Sequence, residues 1–359
     1  MNAAFMEYLP PPPVPATVCV VDTGVDLTPD TAPFVVDRLT VMGDGLLNDA
    51  MTPYGHGTAV AAVMGAPRNG YGGVGLWPHV RVVSVRAATQ FGGIVAFTWN
   101  DYDRALRRCL EVPGVNTVNF SLGGTFGGLD YLYFTDRVLL ANRAGVSVVA
   151  SAGNVPGVPT YPAAAEGVVA IAANDVGGDG SLCSFSAAAP QILSSPGCNV
   201  EASSTTGEVL LWNGTSFSSP LVSVLLGALR TYRPDLSRHQ IENIVVESAR
   251  LGPDGRSAVV DADAAFRAAG LGAVVDAAWA QTPGPRPSDA GLPKVGVPTT
   301  SLVVPDTPKV RWVRRLHGAV VIRIAPLATG VHLKVTGSDI LVASLPPQFE
   351  PCRQLDRGH

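Results

Sequence analysis

Three short stretches carry side chains whose types and spacing could activate a nucleophile. Asn213-Gly-Thr-Ser-Phe-Ser-Ser-Pro220 places Ser216 just ahead of the apolar run Leu221 to Leu229, with Gly214 permitting a tight turn. A serine at a helix N-terminus lies among free backbone N–H groups and the positive end of the helix dipole. A developing oxyanion is stabilised in such a place. Tyr54-Gly-His-Gly-Thr-Ala-Val-Ala-Ala-Val63 puts His56 at the start of a small-residue helix. Of six histidines only His56 is flanked by glycines and a helix start; His79, His239, His317, His332 and His359 lack that setting. Thr17-Val-Cys-Val-Val-Asp-Thr-Gly24 reads as a buried parallel strand. Asp22 then stands at its C-terminal end, where open α/β sheets place functional groups. Each stretch alone is also a capped helix or a turn after a strand. Together, in the order Asp, His, Ser, they argue for chemistry.

The roles follow from the side chains. Ser216 is a weak nucleophile at its free pKa and needs a base, which His56 can supply. Imidazole can take the hydroxyl proton and return it to a leaving amine. Asp22 would accept from the other ring nitrogen, fixing the tautomer and stabilising the imidazolium. Two rival readings fail. Asp22-Thr-Gly24 also marks aspartic peptidases, but these need two carboxylates sharing a proton, and no second Asp-Thr-Gly or Asp-Ser-Gly occurs. Gly214-Thr-Ser-Phe-Ser218 approximates a nucleophile elbow, which requires glycine where Ser218 stands and an Asp-then-His order downstream.

The Asp, His, Ser order and the sequences around it resemble the subtilisin-like serine peptidases (subtilases). The resemblance runs from about Thr17 to about Gly270. Within it, Val118-Asn-Phe-Ser-Leu-Gly-Gly124 looks like the family's substrate-binding strand, and Val148-Val-Ala-Ser-Ala-Gly-Asn154 like the strand that delivers its oxyanion-hole asparagine. Gly73 to Val85 and Tyr161-Pro-Ala163 also fit. The resemblance implies an endopeptidase working through an acyl-enzyme, with Asp22, His56 and Ser216 as triad and Asn154 in the oxyanion hole. It further implies that Ser121, Leu122, Gly123 and Gly124 on one side, and Ser151, Ala152 and Gly153 on the other, flank an extended substrate. Thr160 aligns with a pocket-floor position that is glycine in subtilisin, which implies small to medium apolar P1 groups. In subtilisin, losing one oxyanion-hole donor costs about 2.7–4 kcal/mol, so a retained Asn154 argues for activity. The alternative class is a catalytically silent peptide- or protein-binding module on the same fold, since fold does not fix function. Phe217 stands where many members carry methionine, removing an oxidisable sulfur beside Ser216. Ala59 stands where many have a second histidine, and the segment from Val155 to Thr160 is shorter than in subtilisin.

The elements that must position these residues are legible in outline. With 359 residues, 47% hydrophobic and 15% charged, the chain can bury a large core. Apolar strand runs alternate with small-residue helices, giving a doubly wound, mostly parallel α/β sheet with helices on both faces. Expected strands are Val18–Val21, Val80–Val85, Thr117–Ser121, Val146–Ala150 and Gly167–Ala172. Expected helices are Thr58–Met64, Asp101–Glu111, Tyr133–Arg143, Pro220–Tyr232, Arg238–Ser248 and Ala262–Ala269. No run reaches the roughly 18 apolar residues of a membrane span. The organisation reads as an N-terminal extension over 1–16, a peptidase domain over 17–280, a linker over 281–308 with seven prolines, a small β-rich unit over 309–346 and a tail over 347–359. Strands are expected at Val310–Arg314, Ala319–Ala325, Val331–Thr336 and Ile340–Ser344.

Charge is unevenly shared: residues 1–280 hold 15 arginines against 24 acidic residues, net −9, and residues 281–359 hold ten basic against five acidic, net +5. The basic tail reads as a solvated β face rather than a nucleic-acid site. No cofactor is implied, and no Asp/Asn/Gly loop has the spacing of a calcium or other metal site. The start of the chain has neither a basic n-region nor a long apolar h-region, so a cytoplasmic location is expected, with secretion the alternative for a processed form. Cys19 and Cys109 read as small buried hydrophobes, while Cys183 and Cys198 are candidates for a disulfide. The segment Glu7 to Pro13, rich in proline, either lies along the cleft near Ser121–Gly124 as a self-inhibiting strand or is a solvated lead-in.

Overall fold

The structure is a computed structural model that describes all residues except 92–93, 125–129, 176–178, 256, 284–309, 317–318 and 325–359. It divides into two units, Met1–Val295 and Gly296–His359. The first begins with a 3-10 turn over Ala4–Tyr8 and continues through β1 (Thr17–Asp22), β2 (Val35–Thr40), α1 (His56–Gly65) and β3 (Arg81–Arg86). A hairpin of β4 (Thr89–Phe91) and β5 (Ile94–Ala96) precedes α2 (Trp99–Glu111), β6 (Val115–Phe120), α3 (Asp130–Arg143), β7 (Ser147–Ser151) and β8 (Val168–Asp175). Then come β9 (Leu193–Cys198), the hairpin β10 (Val200–Ser203) and β11 (Val209–Trp212), and the central helix α4 (Thr215–Tyr232). Helix α5 (Arg238–Ser248), β12 (Arg250–Leu251), β13 (Ala258–Val259), α6 (Ala262–Ala268) and α7 (Gly272–Trp279) close the unit.

Nine strands form one sheet in the order β12-β13-β9-β8-β7-β6-β1-β3-β2, parallel except for the β12–β13 pair. Strand β1 lies inside the sheet with β3 on one side and β6 on the other. The chain first goes to the edge strand β2 and back to β3, then crosses β1 to build β6, β7, β8 and β9 on the other side. Such a reversal opens a crevice beyond the carboxyl ends of the strands, and Asp22 is the last residue of β1. Alternation along β1 feeds two cores. Val18 and Val20 pack with α1, α4 and α5, while Cys19 and Val21 pack with Tyr102 and Leu106 of α2 and Phe134 of α3. Period-two alternation of a strand buried on both faces explains why all six residues of β1 are buried.

All five expected strands and all six expected helices of this unit are present, with shifted ends. The largest shift is in α4, which starts at Thr215 rather than Pro220. Proline disfavours helix interiors because it removes an i to i−4 hydrogen bond; here the carbonyl so released, on Ser216, accepts instead from Ser121 Oγ at 2.8 Å. Strand β9, Leu-Ser-Ser-Pro-Gly-Cys, carries no β-branched run and was not foreseen. Nor were β2, whose side chains are half-buried or exposed, or helix α7. Among the described residues no helix is long and apolar enough to cross a membrane.

Two readings are corrected. Cys19 and Cys109 are buried but bonded to each other, their Cα atoms 5.7 Å apart, tying β1 to α2. Cys183 and Cys198 are also paired, with Cα atoms 6.2 Å apart. The N-terminal segment is docked through Pro10, while Pro11 to Pro15 are mostly exposed. Phe5 and Met6 are fully buried, with the Phe5 ring 5.4 Å from Phe266 of α6 and 5.6 Å from Trp279 of α7. Met1 O accepts from Ala262 N at 2.9 Å, Glu7 pairs with Arg68 at 2.8 Å, and Pro10 O accepts from Tyr232 Oη. Tyr232 ends α4, about 24 Å along the helix axis from Ser216.

In the second unit, β14 (Val310–Leu316) and β15 (Ala319–Ile324) form an antiparallel hairpin. The strands expected at Val331–Thr336 and Ile340–Ser344 lie outside the described residues, as does residue 284 onward of the proline-rich stretch.

Candidate active site

Strand β1 delivers Asp22 and helix α1 delivers His56, its first residue. His56 Nδ1 donates to Asp22 Oδ1 at 2.7 Å. A carboxylate can only accept, so Nδ1 carries the proton and Nε2 is left as the basic nitrogen. The two elements meet backbone to backbone: a Cβ on Gly57 would stand 2.2 Å from Gly24 O and about as close as 3.0 Å to Asp22 Oδ1. This accounts for Gly57; Gly24 is required for another reason, its φ of +105° and the Asn48 carbonyl oxygen 2.4 Å from where its Cβ would stand.

Neighbours that the sequence reading missed hold this pair. Thr23 N donates to Asp22 Oδ1 at 2.7 Å, and Thr23 Oγ1 accepts from Gly57 N at 3.0 Å. Asp49, buried, accepts from Thr23 Oγ1 at 2.8 Å through Oδ1, and from Thr58 N and Oγ1 at 2.8 and 2.9 Å through Oδ2. Helix α1 has no side-chain cap from its own N-cap residue Gly55; Asp49 supplies a remote one, placing negative charge at the helix start. No motif marked Asp49, because the loop between β2 and α1 has no periodicity to reveal which acid turns inward. Burial pushes the Asp49 carboxyl above the usual carboxylate range, with donors from Met51 and Thr58 opposing and the nearby Asp22 charge adding to it. For His56, burial lowers the imidazole pKa, but the charge and hydrogen bond of Asp22 outweigh it, and Asp49 contributes, so the net shift is upward.

Ser216 is the second residue of α4 and nearly buried. In this structure its hydroxyl donates to Ser121 O at 2.9 Å, so reaching His56 requires rotation of the side chain. Nucleophile–base hydrogen bonds are often loose before substrate binds. Phe217 stacks edge-on to the His56 ring at 5.7 Å and lies 5.2 Å from Trp212 at the end of β11.

Asn154, after β7, is exposed and oriented by Thr215: its Oδ1 accepts from Thr215 N and Oγ1, both at 2.9 Å. Two donors on one side fix the amide with Nδ2 turned the other way. Thr215 was not singled out from sequence, where it is an ordinary first-turn threonine.

The segments Ser121–Gly124 and Ser151–Gly153 follow adjacent parallel strands, β6 and β7. Leu122 and Ala152 turn their side chains into the core, so only their backbones face the crevice side. Ser121 and Ser151 are buried as well; Gly123 is exposed. Gly124 forms an antiparallel bridge with Tyr161, its N–H donating to Tyr161 O at 3.0 Å. Thr160 N donates to Ala152 O at 2.9 Å. Its Oγ1 lies 3.0 Å from where a Cβ on Gly153 would stand, and 3.4 Å from one on Gly123. Thr160 therefore occupies the space between the two segments. Among the described residues no group of three His, Cys, Asp or Glu side chains is placed to hold a metal ion.

Residues 15–272 match the family model described as the Subtilase family. The chain is 31% identical over 242 residues to the thermostable alkaline protease of Halalkalibacterium halodurans, covering 65% of this chain and 62% of that protein. It is 32% identical over 207 residues to the minor extracellular protease Epr of Bacillus subtilis, covering 56% of this chain and 30% of Epr. To subtilisin DY of Bacillus licheniformis it is 28% identical, covering 65% of this chain and 82% of the relative. The chain thus spans under two thirds of the length of the first two. Among solved structures, a mutant of the protease domain of PatA shares the fold with a TM-score of 0.60 and 23% identity, covering 71% of this chain and 95% of that one. The prenylagaramide maturation protease PagA does so at 0.59 and 21%, covering 70% and 92%. A nine-stranded, mostly parallel sheet with Asp22, His56 and Ser216 at its carboxyl edge, and a family model matched over 258 of 359 residues, lead to one assignment: the chain belongs to the subtilase family.

Proposed function

We propose that the chain is a serine endopeptidase that hydrolyses peptide bonds of protein or peptide substrates through an acyl-enzyme. The observation that carries this is the Asp22–His56 pair at 2.7 Å beside a serine in the first turn of α4, with an oriented Asn154 amide next to it. In the reaction, His56 Nε2 takes the Ser216 hydroxyl proton as Oγ attacks the scissile carbonyl carbon. The oxyanion is held by Asn154 Nδ2 and the Ser216 N–H, the latter favoured by the dipole of α4. The C–N bond then breaks as His56-H⁺ gives its proton to the leaving amine. Water, deprotonated by His56, attacks the acyl-enzyme, and the same proton returns to Ser216 Oγ as the acid leaves. Asp22 fixes the imidazole tautomer and balances its charge throughout.

The substrate strand runs between Ser121–Gly124 and Ser151–Gly153, pairing through backbone groups. Thr160 fills part of the P1 pocket between Gly123 and Gly153, which favours small to medium apolar side chains. The two disulfides support work in an oxidising compartment rather than the reducing cytoplasm expected from the N-terminal sequence. All the residues of the proposed reaction lie in the first unit, Met1–Val295.

Labelling with a fluorophosphonate tests the reading. The folded wild type should label at one site and Ser216→Ala should not. A folded wild-type protein that never labels would leave the binding-only alternative.

A further inference from the structure

We propose that the Ser121 hydroxyl is a positioning group for the nucleophile: it replaces the helix hydrogen bond that Pro220 denies to the Ser216 carbonyl. This rests on the reading of Ser216 as nucleophile. In an α-helix the carbonyl of residue i accepts from the N–H of residue i+4. For Ser216 that donor is Pro220, which has none. A buried carbonyl without a partner is costly, and here the fold supplies one from the neighbouring sheet: Ser121 Oγ, just past the end of β6, lies 2.8 Å from Ser216 O.

The proton positions follow from the surroundings. Ser121 Oγ is 2.8 Å from Asn119 Nδ2 and 3.2 Å from Ser219 Oγ. An amide nitrogen only donates and a carbonyl only accepts, so the Ser121 proton points at Ser216 O, and Ser219 donates into the remaining lone pair. That saturates the Ser121 hydroxyl. Ser223 Oγ lies 3.1 Å from Asn119 Oδ1 and 2.9 Å from Ser219 O, so its one proton is shared between the two acceptors, and Asn119 is placed with Nδ2 toward Ser121. Asn119, Ser121, Ser219 and Ser223 are all at most 1% exposed, so water does not compete for these bonds. Ser223 is two turns into α4, so the helix end that carries Ser216 is clamped to β6 at two points. The clamp sets where the Ser216 backbone N–H and Cβ stand, and these are the two features the proposed reaction uses in its transition state.

A positioning group of this kind acts on kcat more than on KM. Ser121→Ala should lower kcat for a peptide p-nitroanilide by about 10- to 100-fold, the usual cost of a misplaced reacting group, with KM little changed. Pro220→Ala restores an N–H that can reach Ser216 O, so in that background Ser121→Ala should cost no more than about 3-fold. Rates are taken per active site, counted by fluorophosphonate burst, so that partial unfolding does not pass for slow turnover. If Ser121→Ala does not fold, Ser121→Cys, which keeps the shape with a weaker donor, is read in the same two backgrounds. Equal losses with proline and with alanine at 220, or wild-type kcat in the Ser121 variants, overturn the proposal. Failure of the underlying nucleophile reading appears separately, as labelling that persists in Ser216→Ala.

Discussion

If the proposed reaction holds, individual side chains set its pH range and its substrate preference. His56 must be neutral at Nε2 to act as base, and the net effect of burial, Asp22 and Asp49 is to hold its pKa above the ordinary histidine value of 6.5. Activity is then lost as pH falls through that raised value, so the acid limb of kcat/KM should lie above pH 6.5. Asp49→Asn removes a negative charge that favours the imidazolium, so the limb should move to lower pH, measured by pH-rate profiles on one small peptide. An unmoved limb would show that Asp49 acts only as a helix cap. The same upward shift contributes stability that is fully present below the unfolded-state pKa and is lost as pH rises through the folded value. The proposed P1 preference rests on one side chain as well. Thr160→Gly should raise the preference for Phe over Ala at P1 by about 10-fold or more, read as a ratio of kcat/KM values in matched peptides. Wild type that already cleaves after Phe or Tyr better than after Ala or Leu would contradict the small-pocket reading.

Helices and strands act here as levers that bring distant residues to one edge. Asp22, His56 and Ser216 are separated by 34 and 160 residues in the chain, yet β1, α1 and α4 converge because each buries an apolar face in the same core. Helix α4 is buried on nearly every side, its serines included, as befits a helix enclosed by sheet and other helices. Strand β1 carries Cys19 three residues before Asp22, and its bond to Cys109 anchors the strand to α2 across 90 residues of sequence. Replacing both by alanine should lower unfolding free energy by about 2–5 kcal/mol, measured by denaturant titration. Reductant, which also opens Cys183–Cys198, should bring the Cys183→Ala/Cys198→Ala variant down by this same amount. Equal stability with and without the bond would show that packing alone holds β1 and α2 together.

At the level of the first unit, the N-terminal segment is a strap at the end of α4 remote from Ser216. It buries Phe5, Met6 and Leu9 against α4, α6 and α7, each side chain worth about 1.5–3 kcal/mol relative to exposure. Deleting residues 1–13 should therefore lower Tm by several degrees or more and leave kcat/KM per active site unchanged. An activity gain at constant Tm would instead restore the self-inhibiting strand that the proline-rich sequence suggested.

Sequence alone determined the sheet class, marked Asp22, His56, Ser216 and Asn154 as the candidates, and located the core strands and helices apart from their ends. Periodicity and backbone chemistry make these local properties: an apolar run ending in Asp-Thr-Gly, glycines where two backbones must touch, a serine before a helical apolar stretch. Tertiary structure decided what depends on which distant groups meet. Asp49 and Thr215 became parts of the site only when loops folded over α1 and α4. Cys19 found Cys109 because a strand and a helix are stacked, a relation no spacing along one chain can reveal. The start of α4 was misplaced at Pro220 because local reasoning counts the missing N–H as a helix boundary; the donor that compensates for it, Ser121, lies 99 positions earlier in the chain and is supplied only by the packed sheet.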